Sequence, residues 1–128
     1  MTVPTKAMST VYGFDIDGTL TVPTIAKLAN DLHDAGHTII IITGGLRAHD
    51  SASDDMEERR NHRKEQLTDL GVKYHDLYVC VGYDTTQVAA LKGRVCKDNK
   101  VSILFEDTPL FTEAVRRYSP ETVTFLTE

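Results

Sequence analysis

Two carboxylates two residues apart, Asp15 and Asp17, stand between an apolar run and a Gly-Thr turn. In an extended chain, residues i and i+2 point to the same side. If the strand persisted through Asp17, both carboxylates would line one pocket at its carboxyl end, where open α/β sheets bind ligands. Such a pair of negative charges calls for a divalent cation or a protonated partner. Because Asp-Gly is also a common turn pair, this stretch by itself leaves a pocket and a plain turn open.

Further polar residues come at the ends of other apolar runs. Thr43 follows the β-branched run Thr38–Ile42, and Glu106 and Asp107 follow a run that ends at Phe105. A continuous apolar run of this kind is typical of a strand that is covered on both faces. Carboxylates and a hydroxyl in this order are suited to phosphoryl transfer.

A lysine is the remaining member of this set, and three positions compete for it. Lys92 follows a helical apolar stretch, whereas Lys97 and Lys100 flank a polar Asp-Asn turn. This helical context favours Lys92 over the other two lysines.

The elements that must position these residues alternate between strand and helix. This alternation predicts an α/β fold, namely a three-layer Rossmann-like parallel sheet of about five strands. The predicted strands cover residues 10–14, 38–42, 74–81, 101–105 and 122–126. The predicted helices begin at Pro23, at Ser51 or Ser53, at Thr85 and at Leu110, and the third of them ends at Leu91.

Composition sets the class of protein. The 128 residues predict one domain (1–128), and 41% hydrophobic with 26% charged residues is ordinary for a soluble globular protein. The net charge of −5 argues weakly against broad binding to nucleic acid or anionic membranes. No apolar run approaches the roughly 20 residues of a membrane span, so a cytoplasmic location without membrane partners is expected. Cys80 and Cys96 lack metal-type spacing.

The chain resembles the haloacid dehalogenase superfamily, specifically its phosphatases, over residues 11 to about 117. Asp15-Ile16-Asp17-Gly18-Thr19 is similar to the first motif of that family and is the most specific match. Ile39 to Thr43 resembles the second motif, Lys92 the third, and Phe105-Glu106-Asp107 the fourth. The resemblance implies a Mg²⁺-dependent phosphomonoester hydrolase.

The resemblance also implies a role for each matched residue. Asp15 would attack phosphorus and form an aspartyl-phosphate, and Asp17 would act as general acid and base. Asp15, Asp107 and the backbone carbonyl of Asp17 would hold Mg²⁺, with Glu106 binding the metal directly or through water. Thr43 and Lys92 would hold phosphate oxygens. The residues expected to contact substrate are Thr19, Gly44, Arg47 and Arg60.

The spacing leaves no room for a cap domain, since residues 18–42 and 44–91 are consumed by predicted elements of the sheet and its helices. An open site favours a large substrate, or a small one enclosed by the 47–55 loop or by a second subunit. Arg59, Arg60 and Arg63 resemble the arginines of capless relatives that act on nucleic-acid 3′-phosphates. They could equally form a solvated helix face paired with Glu57 and Glu58. A nucleotide or a small-metabolite (sugar) phosphate remains open as the substrate.

A non-enzymatic alternative is a phosphoryl-receiver domain or a phosphate-binding module of similar length. In a receiver the acidic pair comes early and the acceptor aspartate comes in mid-chain, which is the reverse of the order here. Asp17, two residues beyond the predicted acceptor, favours turnover over a lasting phosphoryl mark. The sequence sets neither the oligomeric state nor the physiological ligand.

Overall fold

A computed structural model describes residues 9–47 and 55–127 of the chain. The strands are β1 (Val11–Phe14), β2 (Thr38–Leu46), β3 (Asp76–Gly82), β4 (Ile103–Glu106) and β5 (Val123–Leu126). The helices are α1 (Pro23–Asp34), α2 (Met56–Leu70), α3 (Thr85–Asp98) and α4 (Pro109–Tyr118), and a single irregular turn of helix covers Ile16–Leu20.

The five strands form one sheet in the order β3-β2-β1-β4-β5, and every neighbouring pair is parallel. This arrangement confirms the predicted three-layer Rossmann-like α/β fold. Among the described residues, the connections after β1 and β2 hold only the turn, helices and strands of this sheet, so no cap is evident. Strands β2 and β3 are added on one side of β1, and β4 and β5 on the other, so the strand order reverses between β1 and β4.

Two apolar clusters cover the two faces of the sheet. One contains Phe14, Ile39 and Ile41 and packs against Ala29 of α1 and Leu67 of α2. The other contains the alternate residues of β2, Ile40 and Ile42, and packs against Val88 and Cys96 of α3 and Val115 of α4. Because consecutive side chains of β2 enter opposite clusters, its unbroken apolar run is explained by burial on both faces.

Helix α3 is longer than the sequence analysis predicts, because it continues through Lys92 to Asp98 rather than ending at Leu91. It begins where the Asp84 side chain accepts a hydrogen bond from the Gln87 amide at 2.8 Å. Gly93 lets α4 approach closely, since a Cβ there would lie 2.8 Å from the Cβ of Tyr118. Polar residues follow Leu91, so the sequence pattern did not predict that the helix continues. Its continuation is supported by tertiary packing.

Two other expectations meet different outcomes. Strand β1 ends at Phe14, as predicted, so it does not persist through Asp17, the condition under which both carboxylates would have shared one face of a strand. The predicted caps Ser51 and Ser53, and most of the 47–55 loop, lie outside the described residues. Helix α2 begins at Met56, where an Asp55 side-chain oxygen accepts a hydrogen bond from the Glu57 amide at 2.9 Å.

Among the helices in residues 9–47 and 55–127, none combines the length and apolar composition needed to cross a membrane.

Candidate functional site

A cavity of about 260 Å³ lies at the carboxyl edge of the sheet. Its walls come from the ends of β1, β2 and β4 and from the first turns of α3 and α4. In a sheet of this order, the reversal between β1 and β4 separates the loops after those strands and opens a crevice. The cavity is lined by Asp15, Asp17, Thr43, Gly44, Gly45, Leu46, Thr85, Val88, Lys92, Asp107, Thr108 and Phe111.

The turn after β1 brings Asp15 and Asp17 to this cavity without a continued strand. The Asp15 amide donates to the Phe105 carbonyl at 3.0 Å, which fixes the buried Asp15 beside the end of β4. Gly18 has a φ of +72°, which turns the chain sharply after Asp17. A Cβ on Gly18 would lie 1.9 Å from an Asp107 carboxylate oxygen, so the turn and Asp107 are in close contact. Glycine is therefore required here for both conformation and space.

Lys92 lies between two buried carboxylates at the floor of the cavity. Its Nζ donates to Asp15 Oδ1 at 3.2 Å and to Glu106 Oε2 at 2.8 Å, and both Lys92 and Glu106 are at most 1% exposed. The Lys92 ammonium also lies 4.3 Å from the centre of the Phe111 ring. Removing these groups from water is costly, and the attraction between Lys92 and each carboxylate offsets part of that cost.

Burial and mutual attraction shift the pKa of each member of this cluster. Burial is the largest influence on Glu106 and raises the pKa of its carboxyl to about 8, although the Lys92 charge opposes the shift. Burial likewise raises the pKa of Asp15 against the opposing charge of Lys92. Burial disfavours the Lys92 ammonium, but the two carboxylates together outweigh it and raise the pKa of Lys92.

Two buried oxygen atoms of this site have no hydrogen-bond partner among the described residues. They are Thr43 Oγ1 and Glu106 Oε1. Thr43 is 1% exposed and lines the cavity, so its hydroxyl can reach a bound molecule. A buried polar atom without a partner costs roughly 1–3 kcal/mol, which a ligand or ion could recover.

A divalent cation fits the carboxylates of this edge. One oxygen from each of Asp15, Glu106 and Asp107 lies within 4.8 Å of the other two. Carboxylate oxygens are the ligands that Mg²⁺ prefers, and the open cavity leaves room for water and a phosphate oxygen. The unpartnered Glu106 Oε1 is consistent with such an ion.

Arginines of α2 reach the neighbourhood of the cavity in different ways. Arg63 donates to the Gly44 carbonyl at 3.0 Å and to Asp17 Oδ2 at 3.3 Å. Arg59 donates to the Leu46 carbonyl at 2.9 Å. Arg60, which the sequence analysis expects to contact substrate, instead donates to the Leu77 carbonyl at the amino end of β3. Arg63 therefore connects α2 to Gly44 and Asp17 of the site.

Two other expected contact residues lie outside the cavity walls. Thr19 is fully buried, and its hydroxyl lies 3.1 Å from the hydroxyl of Thr127 beyond β5. The Arg47 amide donates to the Gly82 carbonyl at 2.8 Å, and its guanidinium lies 5.9 Å from the centre of the Tyr83 ring. Gly44, by contrast, lines the cavity beside Val88.

Three cavity residues at the starts of α3 and α4 were not predicted from the sequence. Thr85 stands in the first turn of α3, and Thr108 and Phe111 flank the start of α4. Pro109 at the first position of α4 was the available signal, because proline favours that position and so marks Thr108 as the residue before the helix. Lys97 and Lys100, the competitors of Lys92, line a different cavity.

No known protein-family profile matches the chain, and no curated protein matches it. Among solved structures, the chain is similar to a universal stress protein in complex with cAMP. The TM-score is 0.55, the identity is 14%, and the match covers 93% of this chain and 97% of that chain. It is also similar to a protein from the universal stress protein family from Burkholderia pseudomallei, with a TM-score of 0.52 and 16% identity over 93% of this chain and 97% of that chain.

These comparisons overturn the assignment to the haloacid dehalogenase superfamily, because the matching structures belong to the universal stress protein family. The predicted Mg²⁺-dependent phosphatase, its aspartyl-phosphate intermediate and the description of the chain as a hydrolase were therefore wrong. The physical reason lies in the fold class. Any sheet of this order brings the residues after β1, β2 and β4 to one edge, so their convergence does not identify a family.

Proposed function

We propose that this chain is a ligand-binding domain that holds the phosphate group of a nucleotide together with a divalent cation, Mg²⁺. The observation that carries the proposal is a group of three close carboxylates, Asp15, Glu106 and Asp107, two of which line the cavity beside the unpartnered Thr43 hydroxyl. The cavity lies at the crevice where α/β sheets of this order bind nucleotides.

The charge of the cavity explains why a cation is part of the proposal. Asp15, Asp17 and Asp107 line the cavity together with one cation, Lys92, whose ammonium already serves Asp15 and Glu106. A phosphate dianion alone would be repelled by this surplus of negative charge. A divalent cation held by Asp15, Glu106 and Asp107 would reverse the local charge and supply a direct partner for a phosphate oxygen.

The chain itself offers further contacts to the phosphate. The Thr43 hydroxyl is buried, unpartnered and at the cavity wall, so it can donate to a phosphate oxygen. The α4 helix begins at the cavity with no side chain capping its first amides, and a helix amino terminus favours an anion. Thr108, the residue before that helix, lines the same cavity as Thr43.

The rim of the cavity fits the rest of a nucleotide. Leu46 lines the cavity and is 55% exposed, and its register partner in β3 is Gly82, which precedes the 45% exposed Tyr83. An apolar rim with an aromatic side chain suits the flat face of a base. One structural neighbour was solved in complex with cAMP, which supports a nucleotide over a sugar phosphate. A cytoplasmic location remains a prediction from composition.

The test is a binding panel on the full chain with and without Mg²⁺. We expect a nucleoside monophosphate to bind in Mg²⁺ and to lose at least about tenfold in affinity when the cation is chelated, since its phosphate would then face the bare carboxylates. Cyclic nucleotides, sugar phosphates and short oligonucleotides with 3′-phosphates form the comparison set. The ligand should be recovered unchanged after incubation. Equal affinity with and without Mg²⁺, or release of inorganic phosphate, would contradict the proposal.

A further inference from the structure

A second cavity lies at the opposite, amino-terminal edge of the sheet. It has a volume of about 700 Å³ and is formed by the end of α3, the residues leading into β4 and the segment after α4. This volume is within the range of pockets that hold organic ligands of moderate size. The cavity shares no lining residue with the first cavity.

The second cavity has a positive wall in an acidic protein. Lys97, Lys100 and Arg117 line it against a single carboxylate, Glu121, although the whole chain carries a net charge of −5. Within residues 9–47 and 55–127, none of these three cations makes an ion pair. Lys97 and Arg117 stand in the last turns of their helices, where a cation is favoured by the helix dipole. Lys100 follows the cap residue Asn99 and lies close to the same end of α3.

The end of α3 fixes the position of Lys100 at the cavity wall. Lys100 has a φ of +52°, and it is the single non-glycine residue with a positive φ in the described ranges. The turn is fixed on both sides, because the Lys100 amide donates to Lys97 and the Val101 amide donates to Cys96. Glycine would adopt this conformation without strain, whereas a lysine costs about 1–2 kcal/mol. This pair of hydrogen bonds is a common way for a helix to end, with a left-handed residue after its cap, and here it holds Lys100 at the cavity wall.

An aromatic side chain completes the wall. Tyr118 packs on Gly93 of α3, yet it remains 38% exposed and lines the cavity with Pro120. Several cations beside an exposed aromatic ring are the combination that binds phosphates next to a flat ring. We propose that this cavity binds a triphosphate chain, either free or as part of a nucleoside triphosphate, independently of the site at the carboxyl edge.

The decisive experiment measures binding of tripolyphosphate and of a nucleoside triphosphate to the full chain by calorimetry, in chelator and at low salt. The chelator removes the divalent cation that the first site is proposed to need, so binding measured in chelator does not depend on that proposal. We expect both probes to bind the wild type. Failure of both to bind would overturn the inference.

Lys100→Gly provides a variant that does not threaten the fold, because glycine relieves the positive φ. We expect it to unfold no more easily than the wild type and to bind tripolyphosphate several-fold, roughly threefold to tenfold, more weakly. Unchanged affinity in this variant would contradict the proposal.

A matched pair of double variants separates the cavity from the general charge of the surface. Lys97→Gln with Arg117→Gln should weaken binding by about tenfold, while Lys64→Gln with Lys27→Gln removes two positive charges from α2 and α1 and should leave affinity within about twofold. Equal losses in the two pairs would show nonspecific attraction and overturn the site.

Tyr118→Ala distinguishes the ligand sources. If the nucleoside form is recognised, this variant should bind the nucleoside triphosphate more weakly and bind tripolyphosphate as the wild type does. Equal effects on both probes would assign the site to the phosphate chain.

Discussion

The Nζ atom of Lys92 lies 2.8 Å from Glu106 Oε2, and both side chains are almost completely removed from solvent. Lys92 comes from the middle of α3 and Glu106 from the end of β4, so this ion pair ties a helix to the central part of the sheet. The same ammonium reaches Asp15 after β1 at 3.2 Å. The candidate site is thus organised around one buried cation.

Removing that cation should strongly destabilise the fold. Lys92→Met keeps much of the volume but leaves Asp15 and Glu106 buried without their partner. We expect the free energy of unfolding in denaturant to fall by about 3–5 kcal/mol. Adding Glu106→Gln to Lys92→Met should restore part of this loss, because it replaces a buried carboxyl that has lost its cation with a neutral amide. A double variant that is no more stable than Lys92→Met would contradict this account of the cluster.

The turn after β1 should tolerate no side chain at Gly18. Gly18→Ala places a methyl group 1.9 Å from Asp107 Oδ2 and must displace that carboxylate. Gly36→Ala is the matched control, because Gly36 also has a positive φ but an added Cβ there would meet nothing within 4 Å. In both variants the left-handed conformation should lower the free energy of unfolding by about 1–2 kcal/mol. Gly18→Ala alone should also lose Mg²⁺-dependent ligand binding, and equal binding by the two variants would argue against a role for Asp107.

Arg63 should matter for ligand binding and Arg60 should not. Arg63 holds the Gly44 carbonyl and Asp17 at the cavity, whereas Arg60 bonds to Leu77 at the far end of β3. Arg63→Ala should weaken binding of a nucleoside monophosphate by roughly tenfold, and Arg60→Ala should change it by less than about twofold. Calorimetry on the two variants checks this. A larger loss in Arg60→Ala would restore the predicted role of Arg60.

The individual residues of the site show how much of it could be predicted from the sequence. Asp15, Thr43, Lys92 and Asp107 could be brought together from the sequence, because each comes at or near the end of a recognisable apolar element. Arg60 could not be separated from Arg63, since their orientation depends on how α2 packs against the sheet. Thr19 faces Thr127, 108 positions along the chain, and no local pattern reports such a contact.

The fold was easier to predict than the family. Alternating strands and helices determine the parallel sheet, and the continuous run Thr38–Ile42 determines a strand covered on both faces. The motif around Asp15 suggested a phosphatase because that residue pattern suits phosphoryl transfer. The matching solved structures belong to another family, so the pattern reports the chemistry available at this edge and not the reaction.

The two thiols should make stability fall at alkaline pH. Burial raises the pKa of Cys80 to about 11 and that of Cys96 to about 12, from an ordinary value of 9.0. Because the pKa of each thiol is higher in the folded chain, keeping the thiols neutral contributes to the stability of the fold. This contribution is fully present below pH 9 and is lost as the pH rises toward the pKa values of the folded chain. Between pH 8 and pH 10, wild type should lose about 2–3 kcal/mol more than a variant with both Cys80→Ala and Cys96→Ala. Parallel stability curves for the two proteins would contradict this prediction.

The proposal that a divalent cation recruits the phosphate is tested most directly by the coupling between the two ligands. The affinity for a nucleoside monophosphate is measured with and without Mg²⁺, and the affinity for Mg²⁺ with and without the nucleotide. These measurements are made for wild type, for Asp107→Asn and for Asp31→Asn, a control at an exposed carboxylate paired with Lys27. We predict that each ligand strengthens the other by the same factor, about tenfold or more, in wild type and in Asp31→Asn. The coupling should vanish in Asp107→Asn, and undiminished coupling in that variant would contradict the account.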